Sequence, residues 1–216
     1  MSQWSRRDIV TTGVIGAAAA GGLVRTAKAS ASSTTGGRRA TISASDAPTL
    51  PKSYETYKFP LTHTSPQVKR KGGTVIECTV KNFPVVGQSD AAIFLLTLEP
   101  GGLREPHWHP NAWEMEYVVS GHARLGVVLP DGTYDLVDLG PGDVGFVPKG
   151  WAHYIENIGN SVMKMPIVFG SNQPNDIGLS TFFAGLPTHA FARTLGLSES
   201  TMEKATKVRQ TRFIVP

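Results

Sequence analysis

The sequence predicts an all-β domain, a jelly-roll or barrel of eight or so short strands with a short helical cover near its C-terminal end. Three observations carry this. Glycine (23) and proline (15) are frequent in a chain of 216 residues, as many turns between short strands require. From Thr74 onward, apolar stretches of strand length are separated by turn signals. After about Ser180 the apolar spacing becomes helical. The length allows one ordinary domain with a buried core.

Taken in order, Thr74–Val80 alternates around Val75, Ile76 and Val80. Residues 91–98 are apolar on both faces, as in a strand packed inside a sandwich. Glu99-Pro100-Gly101-Gly102 ends that strand. Glu116–Val119 and Ala123–Val128 flank a turn at Ser120-Gly121. Pro130-Asp131-Gly132 is a hairpin signal before Tyr134–Leu139. Pro141-Gly142 and Pro148-Lys149-Gly150 mark further turns, and Val162–Phe169 is another strand. Ser180–Leu186 and Thr188–Leu195 carry helical spacing, and Ser200-Thr201-Met202-Glu203 reads as a capping box opening a last helix. No internal repeat is evident, so one barrel is expected rather than a fused pair.

The first fifty residues read differently. Arg6 and Arg7 precede an apolar, Ala- and Gly-rich run from Ile9 to Val24, and Ala27-Lys28-Ala29 has the small-x-small form of a cleavage site. This is the pattern of a signal peptide over 1–29, and the paired arginines resemble the twin-arginine export signal. The expectation is a periplasmic or secreted protein cleaved near Ala29 after contact with the twin-arginine export machinery. An uncleaved N-terminal anchor is the alternative, although the run is short and weakly apolar for a spanning helix. Residues 30–50 are Ser-, Thr-, Ala- and Gly-rich and read as a flexible linker. Residues 51–197 form the expected barrel domain, and 198–216 a C-terminal helix and tail.

The formal net charge of +4 comes mostly from the leader. Residues 1–29 hold four of the 21 basic residues and one of the 17 acidic ones, which leaves a net charge of +1 elsewhere. That excludes the basic footprint of a nucleic-acid-binding protein and argues against electrostatic docking on membranes. The one cysteine, Cys78, has no internal disulfide partner and reads as a small buried hydrophobe of a strand.

The chemistry is concentrated in two segments. His107-Trp108-His109 places two imidazoles at i and i+2, on one face of a strand and about 7 Å apart at their Cα atoms. Glu114 follows after a turn begun by Pro110-Asn111. In the second segment, turns at Pro148 and Gly150 feed a strand whose His153 can point back into the barrel. Three imidazoles and one carboxylate leave two positions open on an octahedral ion. Nitrogen and oxygen ligation without thiolate suits Mn(II) or Fe(II) and is also compatible with Ni, Cu or Zn. Open positions serve a Lewis-acid or oxygen-activating site. His63, His122 and His189 fit no such pattern and are expected at the surface.

Gly101, His107, His109, Glu114 and Gly121 match the cupin pattern Gly-x5-His-x-His-x4-Glu-x6-Gly. Gly142, Pro148, Gly150, His153 and Asn157 match its second pattern, Gly-x5-Pro-x-Gly-x2-His-x3-Asn. The chain thus resembles the cupins, whose fold is a double-stranded β-helix. Leu98-Glu99-Pro100-Gly101-Gly102-Leu103-Arg104-Glu105, Gly142–Pro148 and His153–Gly159 extend the likeness to one half of the bacterial oxalate decarboxylases, especially their C-terminal cupin, over roughly residues 57–197. Those enzymes are manganese-dependent bicupins.

The resemblance implies Mn(II), with Fe(II) or another transition metal as alternatives, and a small carboxylate such as oxalate as substrate. It implies that Arg104 grips the far carboxylate of that substrate, for which a planar guanidinium is suited. Arg104 stands an odd number of residues before His107, so a regular strand would aim it at the opposite face, unless Pro106 breaks the regularity. A surface arginine is the other reading. The lid glutamate of the active family members is absent from Ser171–Ile177. Asp176 is the nearest carboxylate there, either as an acid/base group or as a turn or capping residue. Trp113 and Met115 also depart from the family's residues around the glutamate ligand.

The leading expectation is therefore an oxalate decarboxylase-like carboxy-lyase forming formate and carbon dioxide. Alternatives are a germin-like oxalate oxidase, a non-catalytic cupin that holds manganese or a carboxylate ligand, and an enzyme for a larger substrate with a wide apolar pocket lined by Phe94, Trp113 and Phe146. Self-association is expected by resemblance alone.

Overall fold

Alternating apolar residues punctuated by glycine and proline form twelve strands in the computed structural model, which describes residues 57–206 and 212–216. They are β1 (Val68–Arg70), β2 (Gly73–Cys78), β3 (Ala92–Leu98), β4 (Leu103–Trp108), β5 (Glu114–Tyr117) and β6 (Ala123–Val128), then β7 (Tyr134–Leu139), β8 (Val144–Val147), β9 (His153–Asn157), β10 (Met163–Phe169), β11 (Ile177–Gly178) and β12 (Ile214–Val215). Three helices, α1 (Leu179–Gly185), α2 (Thr188–Leu195) and α3 (Glu199–Thr206), lie between the last two strands in sequence. No helix among the described residues is long and apolar enough to cross a membrane.

The strands form two antiparallel sheets in the order β1-β2-β3-β10-β5-β8 and β11-β4-β9-β6-β7, with β12 also pairing β4. This is the jelly-roll barrel that the sequence predicts. Residues alternate inward and outward along β5, β8, β9 and β10, as the pleat requires. Leu96, Leu98, Val118, Ile155, Met163 and Met165 are buried between the sheets. Each such side chain contributes about 1.5–3 kcal/mol. Cys78 is buried in β2, as expected, and burial pushes its thiol pKa up.

Local signals shifted some boundaries. Strand β5 begins at Glu114, two residues before the expected start, because Glu114 and Glu116 both point inward. The last helix begins at Glu199. Its entry is set by Ser198, whose Oγ accepts from the Thr201 N–H (3.2 Å), rather than by the expected cap at Ser200. The C-terminal tail does not trail away: Ile214 and Val215 return to pair with Arg104 and Leu103 of β4. The expected leader (1–29) and the expected linker (30–50) lie outside the described residues.

Asn157 links the two sheets. It is buried on β9, donates to Leu98 O (3.0 Å) and Ser161 O (2.8 Å), and accepts from Gly159 N–H (3.0 Å). Asn157→Ala is expected to lower stability by about 2–4 kcal/mol in urea unfolding, since it leaves buried backbone groups without partners.

Candidate metal centre

His107 on β4, His109 just beyond it, Glu114 on β5 and His153 on β9 converge from both sheets, and all four are buried. One donor atom from each lies within 4.8 Å of all the others. Donors around one ion at bonds of about 2.1–2.2 Å are at most about 4.4 Å apart, so a small contraction brings all four onto a common ion.

The tautomers support the same reading. His107 Nδ1 meets Glu105 O (2.8 Å), His109 Nδ1 meets Asn175 O (2.7 Å) and His153 Nδ1 meets Trp151 O (3.0 Å). A carbonyl only accepts, so each neutral ring carries its proton on Nδ1 and turns the Nε2 lone pair inward. His109 Nε2 and His153 Nε2 then face Glu114 Oε2 and Oε1 at 3.0 and 2.8 Å. Acceptors facing acceptors in a buried cluster are repulsive unless a cation lies among them. The residues therefore fit a divalent metal.

Charge reinforces this. Burial, with Arg104 and His153 nearby, holds His107 well below its ordinary value and so neutral. Burial also opposes ionisation of Glu114, but the imidazoles of His153 and His109 beside it prevail and hold it well below the usual carboxylate range.

The sequence reading missed Glu116. It lies two residues along β5 from Glu114, on the same inward face, and is fully buried. Burial first and Glu114 second push its pKa well above the ordinary value, so it holds a proton. The strict i, i+2 spacing of two glutamates after the His-x-His pair was the available signal.

Arg104 settles the question of strand alternation. The β4–β9 register shifts between Arg104 and His107. This bulge at Glu105-Pro106 puts both side chains on the wall of one cavity of about 60 Å³. By the measure in which one water needs about 10–15 Å³, that holds roughly four to six waters. Phe94 lines it, with Ile155, Ile167 and Phe169. Trp113 and Phe146 do not. Trp113, just before β5, and Phe146, on β8, lie at the outer surface, where they are 38 % and 50 % exposed with ring centroids 6.0 Å apart. The expected wide apolar pocket is thus corrected to a small one with a single expected aromatic, Phe94.

Asp176 is brought to the site by the segment that follows β10. Its carboxylate pairs with the Arg104 guanidinium and lies 4.0 Å from His107 Nε2. Asn111 holds that segment down, donating to Ser171 Oγ (3.2 Å) and Gln173 O (2.9 Å) and accepting from Asn175 N–H (2.7 Å). His63, His122 and His189 are exposed, as expected.

The tail supplies the remaining wall. Phe213 lines the cavity, its ring stacks on Arg104 (3.6 Å from Cζ to the ring centroid), and its carbonyl accepts from Arg104 Nη1 (3.3 Å). Glu105 ties the tail and the helical cover together. Its carboxylate accepts from Phe213 N–H (2.8 Å), Ser180 N–H (2.9 Å) and Ser180 Oγ–H (3.0 Å). A Cβ on Gly178 would stand 2.6 Å from Glu105 Oε1, so a larger residue there would displace that carboxylate. Phe213 adopts φ 58°, the only positive φ outside glycine among the described residues. No pattern in the sequence marks these contacts.

Two outcomes follow from this geometry. A carboxyl with a raised folded pKa stabilises the fold below its unfolded pKa and loses that contribution as pH rises through the folded value. Metal-free Glu116→Gln is therefore expected to gain stability relative to wild type as urea unfolding is moved from about pH 4 to about pH 8. A constant gap would mean that the Glu116 pKa is the same in the folded and unfolded states. At position 213, glycine relieves the positive φ and alanine does not. Phe213→Ala is expected to be less stable than Phe213→Gly by about 1 kcal/mol in chemical denaturation, the reverse of the order in an ordinary strand.

Comparison with known proteins agrees with this architecture. The cupin family model matches residues 59–203. Oxalate decarboxylase OxdC of Bacillus subtilis (strain 168) is 38 % identical over 120 residues, covering 56 % of this chain and 31 % of that protein. A probable germin-like protein (subfamily 2 member 5) of Arabidopsis thaliana is 30 % identical over 134 residues, covering 62 % and 63 %. A solved structure of Bacillus subtilis oxalate decarboxylase, studied for its Mn(II) centres, superposes with a TM-score of 0.65 at 34 % identity, covering 72 % of this chain and 40 % of that one. The chain spans about a third of the length of the oxalate decarboxylases it matches. With a family model matched over more than half its length and the motif residues gathered at one buried point, the chain belongs to the cupin family.

Proposed function

We propose that this protein is a metal-dependent carboxy-lyase of the oxalate decarboxylase type, converting oxalate or a similarly small carboxylate to formate and carbon dioxide. The observation that carries the proposal is Arg104. A buried guanidinium shares a cavity of about 60 Å³ with the metal-binding side chains. A volume of this size favours a small acid over the larger substrates of other cupins.

In this reading His107, His109, Glu114 and His153 hold Mn(II), with Fe(II) the next choice. The ion, when bound, supplies a Lewis-acid position for one carboxylate of the substrate. Arg104 receives the other carboxylate through its planar fork. Asp176 already pairs with that guanidinium, so an incoming carboxylate competes with it. Phe94, Ile155, Ile167 and Phe169 exclude water from the reacting carbons.

Export by the twin-arginine route, with cleavage near Ala29 and release to the periplasm or medium, belongs to the same proposal. Self-association does too, supported by the exposed Tyr134 and Leu136 on β7 and Val144 and Phe146 on β8. Oxidation of the same acid is the second reading, favoured by the germin-like relative, of which the chain covers 63 %.

The test is NMR detection of formate from labelled oxalate with Mn(II)-loaded protein in air. Wild type is expected to form formate. Glu114→Ala is expected to lose metal and activity, and Arg104→Lys to lose about a hundredfold in rate through misplacement of the bound carboxylate. Peroxide without formate would support the oxidase. A metal-retaining wild type that yields neither product would reject turnover of oxalate.

A further inference from the structure

The cavity wall holds a carboxyl that neither the metal centre nor an ion pair engages. Glu77 lies on β2 opposite Phe94 of β3. Its side chain lines the cavity with Arg104, Asp176, His107, His109 and Glu114. Its backbone is pinned, the N–H donating to Gln67 Oε1 (2.7 Å) and the carbonyl accepting from Asn82 Nδ2 (2.7 Å). Its carboxylate has neither a hydrogen bond nor an ion pair among the described residues.

The charged groups that face Glu77 are Lys81 from the end of its own segment, Asp176 from the segment after β10 and Arg104 from β4. Burial dominates and raises the Glu77 carboxyl above its ordinary value; Asp176 adds to the rise, and Lys81 and Arg104 oppose it. This brings it toward the range in which a carboxyl both takes and gives a proton. Asp176 differs in kind, because it is already engaged by Arg104.

We infer that Glu77 is the proton carrier of this site, the role that the segment after β10 leaves open. The inference rests on the decarboxylase reading. With hydrogen oxalate the step balances. Glu77 carboxylate takes the proton of the substrate's carboxyl group. The C–C bond breaks, carbon dioxide leaves, and the bonding electron pair stays on the other carbon. Glu77 then gives its proton to that carbon to complete formate. No oxidant or reductant is consumed, and Glu77 ends ionised as it began.

Mn(II)-loaded wild type, Glu77→Gln, Glu77→Asp and Asp176→Asn, each with its metal content measured, are titrated with oxalate calorimetrically in buffers of different ionisation enthalpy. Formate is followed in parallel by NMR. A second anion in the cavity raises the Glu77 pKa, so wild type is expected to take up protons on binding oxalate. Glu77→Gln is expected to bind oxalate without proton uptake and to lose about 10²–10⁴-fold in formate production. Glu77→Asp is expected to keep the uptake and recover part of the rate. Proton uptake or wild-type turnover in Glu77→Gln, or a loss confined to Asp176→Asn, would overturn the inference. Uptake that depends on Glu77 without formate from wild type would sink the decarboxylase reading and leave Glu77 as the proton-exchanging group of the ligand cavity. No oxalate binding to metal-loaded wild type would overturn both.

Discussion

Inside the barrel a carboxylate and three imidazole nitrogens turn their lone pairs toward one another, and the rest of the molecule is arranged around that crowding. Each ring is fixed from behind by a backbone carbonyl, of Glu105, Asn175 or Trp151, so none can turn its N–H inward while it stays neutral. Such a cluster is costly without a cation and favourable with one. Glu116 keeps the cost down. As a neutral acid beside Glu114 it fills the interior without adding a second negative charge.

Strand β4 carries the burden of coupling this centre to the cavity. It supplies Arg104, Glu105 and His107, and the register shift between the first and last of these lets two residues that should oppose each other face the same space. A bulge of this kind re-aims side chains at the cost of ladder bonds. The other edge of β4, away from β9, is covered by two short segments, β11 beside His107 and Trp108 and β12 beside Leu103 and Arg104. Glu105 sits where the two meet and binds both the start of the helical cover and the tail. The positive φ of Phe213 is held in place by these contacts: its N–H reaches Glu105, its carbonyl reaches Arg104, and its ring covers the guanidinium. Strain at a cavity wall persists where the surroundings over-determine it.

The metal centre and the segment after β10 are also joined through His109, since Asn175 O receives its Nδ1 proton and Asp176 follows directly in the chain. A displacement of Asp176 from Arg104 by another carboxylate would therefore act on the orientation of a ligand ring. Ligand identity, cavity volume and the seating of this segment are in this way parts of one arrangement rather than separate features.

The sequence alone determined the barrel, the boundaries of β6, β7 and α2, and the four side chains of the candidate metal centre, because strand periodicity, turn residues and the His-x-His spacing act over a few residues and leave a local signature. It also placed Cys78 inside and the three unmatched histidines outside. It could not place Trp113 and Phe146, whose direction follows from which face of β5 and β8 the opposite sheet covers. It could not decide the direction of Arg104, since a bulge is an irregularity of pairing between β4 and β9 and has no period. Glu77, Glu105 and Phe213 look like ordinary strand or tail residues in the chain, and only the closing of the barrel sets them around one guanidinium. Contacts such as Arg104 to Phe213, 109 residues apart, are decided by tertiary structure alone, because long-range packing selects them and nearest-neighbour chemistry does not.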